Sequence, residues 1–198
     1  MIKKLALTTI AALTLGTSAF AEADFFGNGF VVLNLNGAGN VFYDLNPPTN
    51  TANPDFSGSL GNFNPSLGDS LILNGAEFNT FQDNGDNVTS VELNYRVFNG
   101  TPPNFSTVSI DFVPPQNGND KFWQTTNSNV NLLASLAPGT YTFEVFGSAS
   151  STAGNRFYSN GGANYTATFT VVPEPSTLTL LAGPALLGGW FFLRRRRA

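Results

Sequence analysis

"VELNYRVF", residues 91–98, alternates without a break. Val91, Leu93, Tyr95 and Val97 fall on one side, and Glu92, Asn94 and Arg96 on the other. A strand sends successive side chains to opposite faces, so this stretch predicts a strand with one face buried and one in water. The pattern recurs along the chain. In "STVSIDFV", 106–113, Val108, Ile110 and Phe112 oppose Thr107, Ser109 and Asp111. In "GTYTFEVFG", 139–147, Tyr141, Phe143 and Val145 oppose Thr142 and Glu144. In "NYTATFTV", 164–171, Tyr165, Ala167, Phe169 and Val171 oppose three threonines.

Working outward, "GFVVLNLNG" (29–37), 41–45 and 70–81 supply further strands, and another starts at Phe122 and ends in a short helical turn before Pro138-Gly139. Turn residues recur about every ten positions, and no segment is a helix long enough for a parallel crossover. The expected fold is therefore all-β: a single antiparallel β-sandwich of seven or eight strands over residues 22–170. "LAPGTYTFEVFGSA" followed by "NYTATFTV" resembles the last strand pair of immunoglobulin-like or fibronectin-like modules. In that resemblance Tyr141, just after a Pro-Gly turn, is the tyrosine that pins the corner. Two aperiodic stretches rich in Asn, Gly, Ser and Pro, 46–69 and 147–162, read as long loops, the usual carriers of either binding or harmless insertion.

Composition narrows the function. The chain of 198 residues has no Cys and no His. That rules out disulfides and thiolate metal sites and removes the commonest general base. Six of the nine basic residues sit at the ends, so residues 22–170 keep only Arg96, Lys121 and Arg156 against about a dozen acids. Such a surface repels phosphates, and no nucleic-acid partner is expected. Lys121 is the only lysine of the domain and no Ser-x-x-Lys precedes it. The acids scatter over strand exteriors and turns, and no paired-carboxylate or triad chemistry is legible. The expectation is a protein that is not an enzyme and needs no cofactor or metal. "DNGDN", 83–87, has the oxygen-rich letters of a calcium loop but lacks the downstream bidentate acid, and the same letters make a β-turn. Phe98, Phe146, Trp123 and Tyr158 fall on outward or loop positions. Of these Trp123, beside Asp120, Lys121 and Gln124, is the candidate sugar-stacking ring, weighed against an alternative as a core plug between the sheets.

The two ends read as addresses. Residues 1–21 have the three parts of a secretory signal: Lys3 and Lys4, an apolar run from Leu5 to Leu15, and Ala19-Phe20-Ala21 as the cleavage site. At the other end, 171–176 holds Pro173-Glu174-Pro175, residues 177–193 form an uncharged span, and 194–198 carry Arg194, Arg195, Arg196 and Arg197. As a helix, Ser176 to Leu193 would reach roughly 27 Å, enough to cross a bilayer. Four arginines stop transfer and stay in the cytoplasm, which places the domain outside. Pro-Glu-Pro, one apolar span and a terminal arginine cluster together resemble the PEP-CTERM sorting signal of Gram-negative bacteria. The resemblance implies export, a membrane-anchored intermediate, and processing by an exosortase at Pro173, Glu174 and Pro175. It further implies a final place on the cell surface or in the extracellular matrix, in the company of exopolysaccharide and biofilm material. Three hypotheses follow: a non-catalytic surface or matrix protein, a carbohydrate-binding module for exopolysaccharide, or a polysaccharide-active enzyme, which would need two convergent carboxylates in a groove that alternation does not predict.

Overall fold

The computed structural model describes residues 22–46, 52–83 and 85–174, without the side chains of 116 and 117. The expected signal peptide, Ala19 and Ala21 included, lies outside the described residues. So do Pro175, the apolar span and Arg194 to Arg197.

Eleven strands build two packed sheets: β1 (Asp24–Leu35), β2 (Asn40–Asp44), β3 (Ser59–Phe63), β4 (Leu71–Phe81), β5 (Val88–Phe98), β6 (Ser106–Ile110), β7 (Phe112–Asn117), β8 (Asp120–Asn131), β9 (Gly139–Ser151), β10 (Gly154–Tyr158) and β11 (Tyr165–Val171). One sheet runs β2-β1-β4-β8-β7; the other runs β3-β11-β9-β5-β6, with β10 also paired to β9. Among the described residues no helix is long and apolar enough to cross a membrane.

The all-β expectation holds, and three of its details change. The first is the strand count, eleven among the described residues against seven or eight. Both stretches expected as long loops contain strands. Residues 46–69 hold β3 and a short 3-10 turn at Pro65–Leu67; 147–162 hold the end of β9 and all of β10. Their side chains do not alternate cleanly because short edge strands have one wet flank and little core to face. The second is orientation. β3 pairs with β11 in parallel, with Thr168 opposite Ser59 and Val171 opposite Phe63. Pairing direction is a long-range matter that side-chain alternation does not encode. The third is "STVSIDFV", which is not one strand. The chain changes sheets at Asp111, whose N–H donates to Thr125 Oγ1 at 2.9 Å and whose carbonyl accepts from the Gln124 N–H at 2.8 Å. Val108 and Ile110 are buried in one sheet; Phe112, two residues later, lies in the other and is 39% exposed. After β8 the expected helical turn is a hydrogen-bonded turn, Leu136 N–H to Leu133 carbonyl at 3.2 Å.

The core is where the alternation put it. Val91, Leu93, Phe143, Val145, Ala167, Phe169 and Val171 line one inner face; Val31, Leu33, Leu71, Leu73, Ala76 and Phe78 line the other. Each large side chain buried this way contributes about 1.5–3 kcal/mol. The Phe78 ring crosses the interior toward the opposite sheet. A Cβ on Gly147 would sit 2.8 Å from Phe78 Cζ, so a glycine is needed there to admit the ring. Tyr141 donates its hydroxyl to the Ala137 carbonyl at 2.9 Å and pins the turn before β9, as the corner resemblance implied.

Candidate functional site

The oxygen-rich turn at 83–87 is an internal clasp. Asp86 is 9% exposed. Its carboxylate accepts from the Ala23 N–H at 3.0 Å, Ser151 Oγ at 3.1 Å, Thr152 Oγ1 at 2.8 Å and the Ala153 N–H at 2.9 Å. Arg156 lies 3.4 Å away, bonds the Ala23 carbonyl at 2.8 Å and pairs with Glu22 at 2.8 Å. Burial pushes the Asp86 carboxyl up. The donors of Thr152, Ser151, Ala153 and Ala23 outweigh it and hold the group down at about 2. This carboxylate ties the start of β1 to the β9–β10 hairpin, and its oxygens are spent on protein donors. Among the described residues no group of three His, Cys, Asp or Glu side chains is placed to hold a metal.

Trp123 is 4% exposed, and its indole N–H donates to Thr80 Oγ1 at 2.8 Å. The ring is the inter-sheet plug, so it offers no open face to a sugar, and the candidate stacking role for it is corrected here. Its position follows from register. Trp123, Thr125 and Lys121 share the inward flank of β8. Lys121 consequently points inward too, bonding Asn87 Oδ1 at 2.5 Å and the Val88 carbonyl at 2.7 Å, and burial pushes its amine down. Tyr158 is half-buried, and its hydroxyl is engaged within the protein. Its hydroxyl accepts from the Gly29 N–H at 2.9 Å and donates to the Gly27 carbonyl at 3.1 Å. Phe98 and Phe146 do lie on the outer face of their sheet, half-buried, with Phe146 packed edge-on to Phe105 at 4.9 Å.

Two adjoining grooves open where the start of β1 meets the segment between β10 and β11. The first, of about 210 Å3, is lined by Asn46, Ser57, Asn160, Asn164, Tyr165 and Thr166 over a floor of Leu45 and Phe56. The second, of about 280 Å3, shares Asn46 and Tyr165 and adds Asp24, Phe26, Tyr158 and Ser159. Their wall is aromatic: Tyr158 and Tyr165 stack with centroids 5.8 Å apart, and Phe25 meets Tyr158 edge-on at 5.6 Å. Their rim is polar and held in place. The Asn46 N–H is fixed by Asp44 Oδ1 at 2.8 Å. Asn164, left-handed at φ 58°, donates Nδ2 to Glu144 Oε1 at 2.7 Å. Burial, with the Tyr158 and Asp44 side chains beside it, pushes the Tyr165 phenol up to about 12, so it is a neutral hydroxyl.

At its other end β11 runs straight into the terminal segment. Val171 is 3% exposed, and the Val172 N–H still donates to the Phe63 carbonyl at 2.9 Å. Pro173 and Glu174 follow at once and are exposed. Ser66 Oγ donates to Glu174 Oε1 at 2.8 Å. Residues 171–197 match the family model of the PEP-CTERM protein-sorting motif.

The chain carries a PEP-CTERM sorting signal. That signal belongs to exported proteins sorted by an exosortase to the surface of Gram-negative cells, and it accounts for Pro173, Glu174 and the segment after them. The match covers the tail and not the sandwich, and no curated protein matches the chain. Along the chain, the grooves and the sorting signal sit at opposite ends of β11. Tyr165 and Thr166 line a groove, and Val171 precedes the signal, roughly 20 Å away at the rise of a strand. The groove residues were missed by motif reading, because single Asn, Ser and Tyr residues carry no spacing signal. Two hints were available: Tyr158 was among the outward or loop aromatics, and Asn46, Phe56, Ser57, Tyr158, Ser159 and Asn160 all belong to the two stretches expected as binding-capable loops.

Proposed function

We propose that this protein is a non-catalytic component of the cell surface or extracellular matrix, delivered as a membrane-anchored intermediate and cut or transferred by an exosortase near Pro173-Glu174-Pro175. The observation that carries the proposal is that the matched sorting motif begins at Val171, where β11, the last strand among the described residues, ends. Two prolines around one residue keep that segment extended and unpaired, the form a protease-like cleft grips. A tail removed there would leave the sandwich complete, since β11 closes at Val171. The sequence supports the non-catalytic half, because it offers neither His nor Cys and the domain's one lysine is engaged inside. Biofilm or exopolysaccharide matrix is the setting in which such a domain would act, through adhesion.

A second reading is favoured by the paired grooves: the sandwich is a carbohydrate-binding module for exopolysaccharide. Aromatic wall and amide-hydroxyl rim are the two surfaces a sugar needs.

Intact mass of the protein recovered separately from cell surface and medium tests the sorting proposal. We expect a chain ending near Pro173 to Pro175, with or without added mass at the new terminus. A mass running through Arg194 to Arg197 in the mature protein would make the tail a permanent anchor.

A further inference from the structure

We propose that the two grooves sharing Asn46 and Tyr165 bind an uncharged saccharide chain; this rests on the carbohydrate-binding reading and adds the place and the class of sugar. A pyranose ring has apolar C–H faces and a belt of hydroxyls, so it is held by aromatic side chains on one side and by amides and hydroxyls on the other. The grooves supply both: Phe26, 38% exposed, and the half-buried Tyr165 beside Asn46, Ser57, Asn160 and Thr166. A groove of about 210 Å3 alone is small, and the adjoining one of about 280 Å3 makes room for consecutive units of a chain.

Charge decides the class. An acidic polysaccharide, a phosphate or a sulfate needs a cation, usually a free Arg or Lys. Among the described residues neither groove is lined by one, and the charged group at the second groove is Asp24. The three cations of residues 22–170 are engaged elsewhere: Arg96 with Glu144 at 2.7 Å, Arg156 with Glu22 and Asp86, and Lys121 with Asn87 and Val88. An anionic chain would meet Asp24 with nothing to offset it. A neutral chain meets hydroxyl and amide partners; the Asn164 amide is already oriented by Glu144, and the Asn46 backbone is fixed by Asp44. The location suits a displayed receptor, since β11 puts the grooves at the end away from the sorted terminus.

The test is affinity electrophoresis and saturation-transfer NMR on the mature protein recovered from cells. The probes are hexasaccharides of β-1,4-glucose and β-1,4-mannose, with oligogalacturonate as the anionic comparison. We expect a neutral hexasaccharide to bind and oligogalacturonate not to. Asn160→Ala and Tyr165→Phe should each weaken binding roughly five- to tenfold, the worth of one hydrogen bond, with the fold retained, although Tyr165→Phe also gives up the hydroxyl's bond to Tyr158. Preference for oligogalacturonate overturns the neutral class. Neutral binding that neither variant alters overturns the grooves as the site and leaves the carbohydrate reading standing. No binding of any of the three probes overturns both.

Discussion

The Asp86 turn and the Asn46–Tyr165 grooves invite opposite misreadings. The turn has the letters of a ligand site, yet every donor around its carboxylate belongs to the protein itself. The grooves have no motif at all, yet they leave amides and hydroxyls facing outward beside aromatic rings. The difference lies in saturation. A polar group whose capacity is filled internally holds the fold together. One held by a single internal bond, as Asn164 is by Glu144, keeps capacity for a partner. Residue type alone does not separate the two cases.

The sharpest way to break the comparison is at Asp86. Asp86→Ala strands the donors of Ala23, Ser151, Thr152 and Ala153 and takes one carboxylate from Arg156. We expect the melting temperature to fall by roughly 10 °C, with fraying of β1 visible by hydrogen exchange. A loss no larger than that of an ordinary surface variant would mean that the turn is free for a ligand after all. Gly147→Ala comes next: the added methyl meets the Phe78 ring at 2.8 Å, and overpacking of this kind costs about 1–3 kcal/mol, read by urea denaturation.

Acid probes the turn without mutation. The folded Asp86 holds its charge down to about 2, below its ordinary value of 3.8. Its contribution is therefore complete above the ordinary value and is lost as pH falls from there toward 2. Stability should decline over that window in the wild type, and more shallowly in Asp86→Asn. Base probes the groove wall. Tyr165 holds its proton up to about 12 against an ordinary 10.0, so its stabilisation is present below 10 and is lost as pH rises from 10 to 12. Phenolate absorbance should rise late, and Tyr165→Phe should shrink that late component, to which the half-buried Tyr158 and Tyr43 phenols also contribute. The smallest effect belongs to the rim. Asn160→Ala, at an exposed position, should change stability by less than about 0.5 kcal/mol. A large loss there would make the rim structural and erase the contrast with Asp86.

Much of this was legible beforehand, for reasons that differ by region. Alternation named the buried residues of β5, β9 and β11 because a half-buried strand imposes its period on the sequence directly. The sorting signal was legible because exosortase sorting is read from a linear segment, and Pro-Glu-Pro before an apolar span and arginines is one. Trp123 could go either way until register put it on the inward flank of β8 with Thr80. β3 and β10 were hidden in loop-like composition, since edge strands of five residues need no strong pattern when their neighbours supply the ladder.

By itself, then, the sequence determined an all-β domain with an acidic surface and a PEP-CTERM tail, because period, net charge and a linear motif are properties of neighbours along the chain. The tertiary structure alone decided that Asp111 carries the chain from one sheet to the other, that β3 lies parallel to β11, that Asp86 closes inward, and that Asn46 and Tyr165 share a wall. Each of those joins residues far apart in sequence, and what they do depends on which hydrogen-bonding groups the fold has already satisfied.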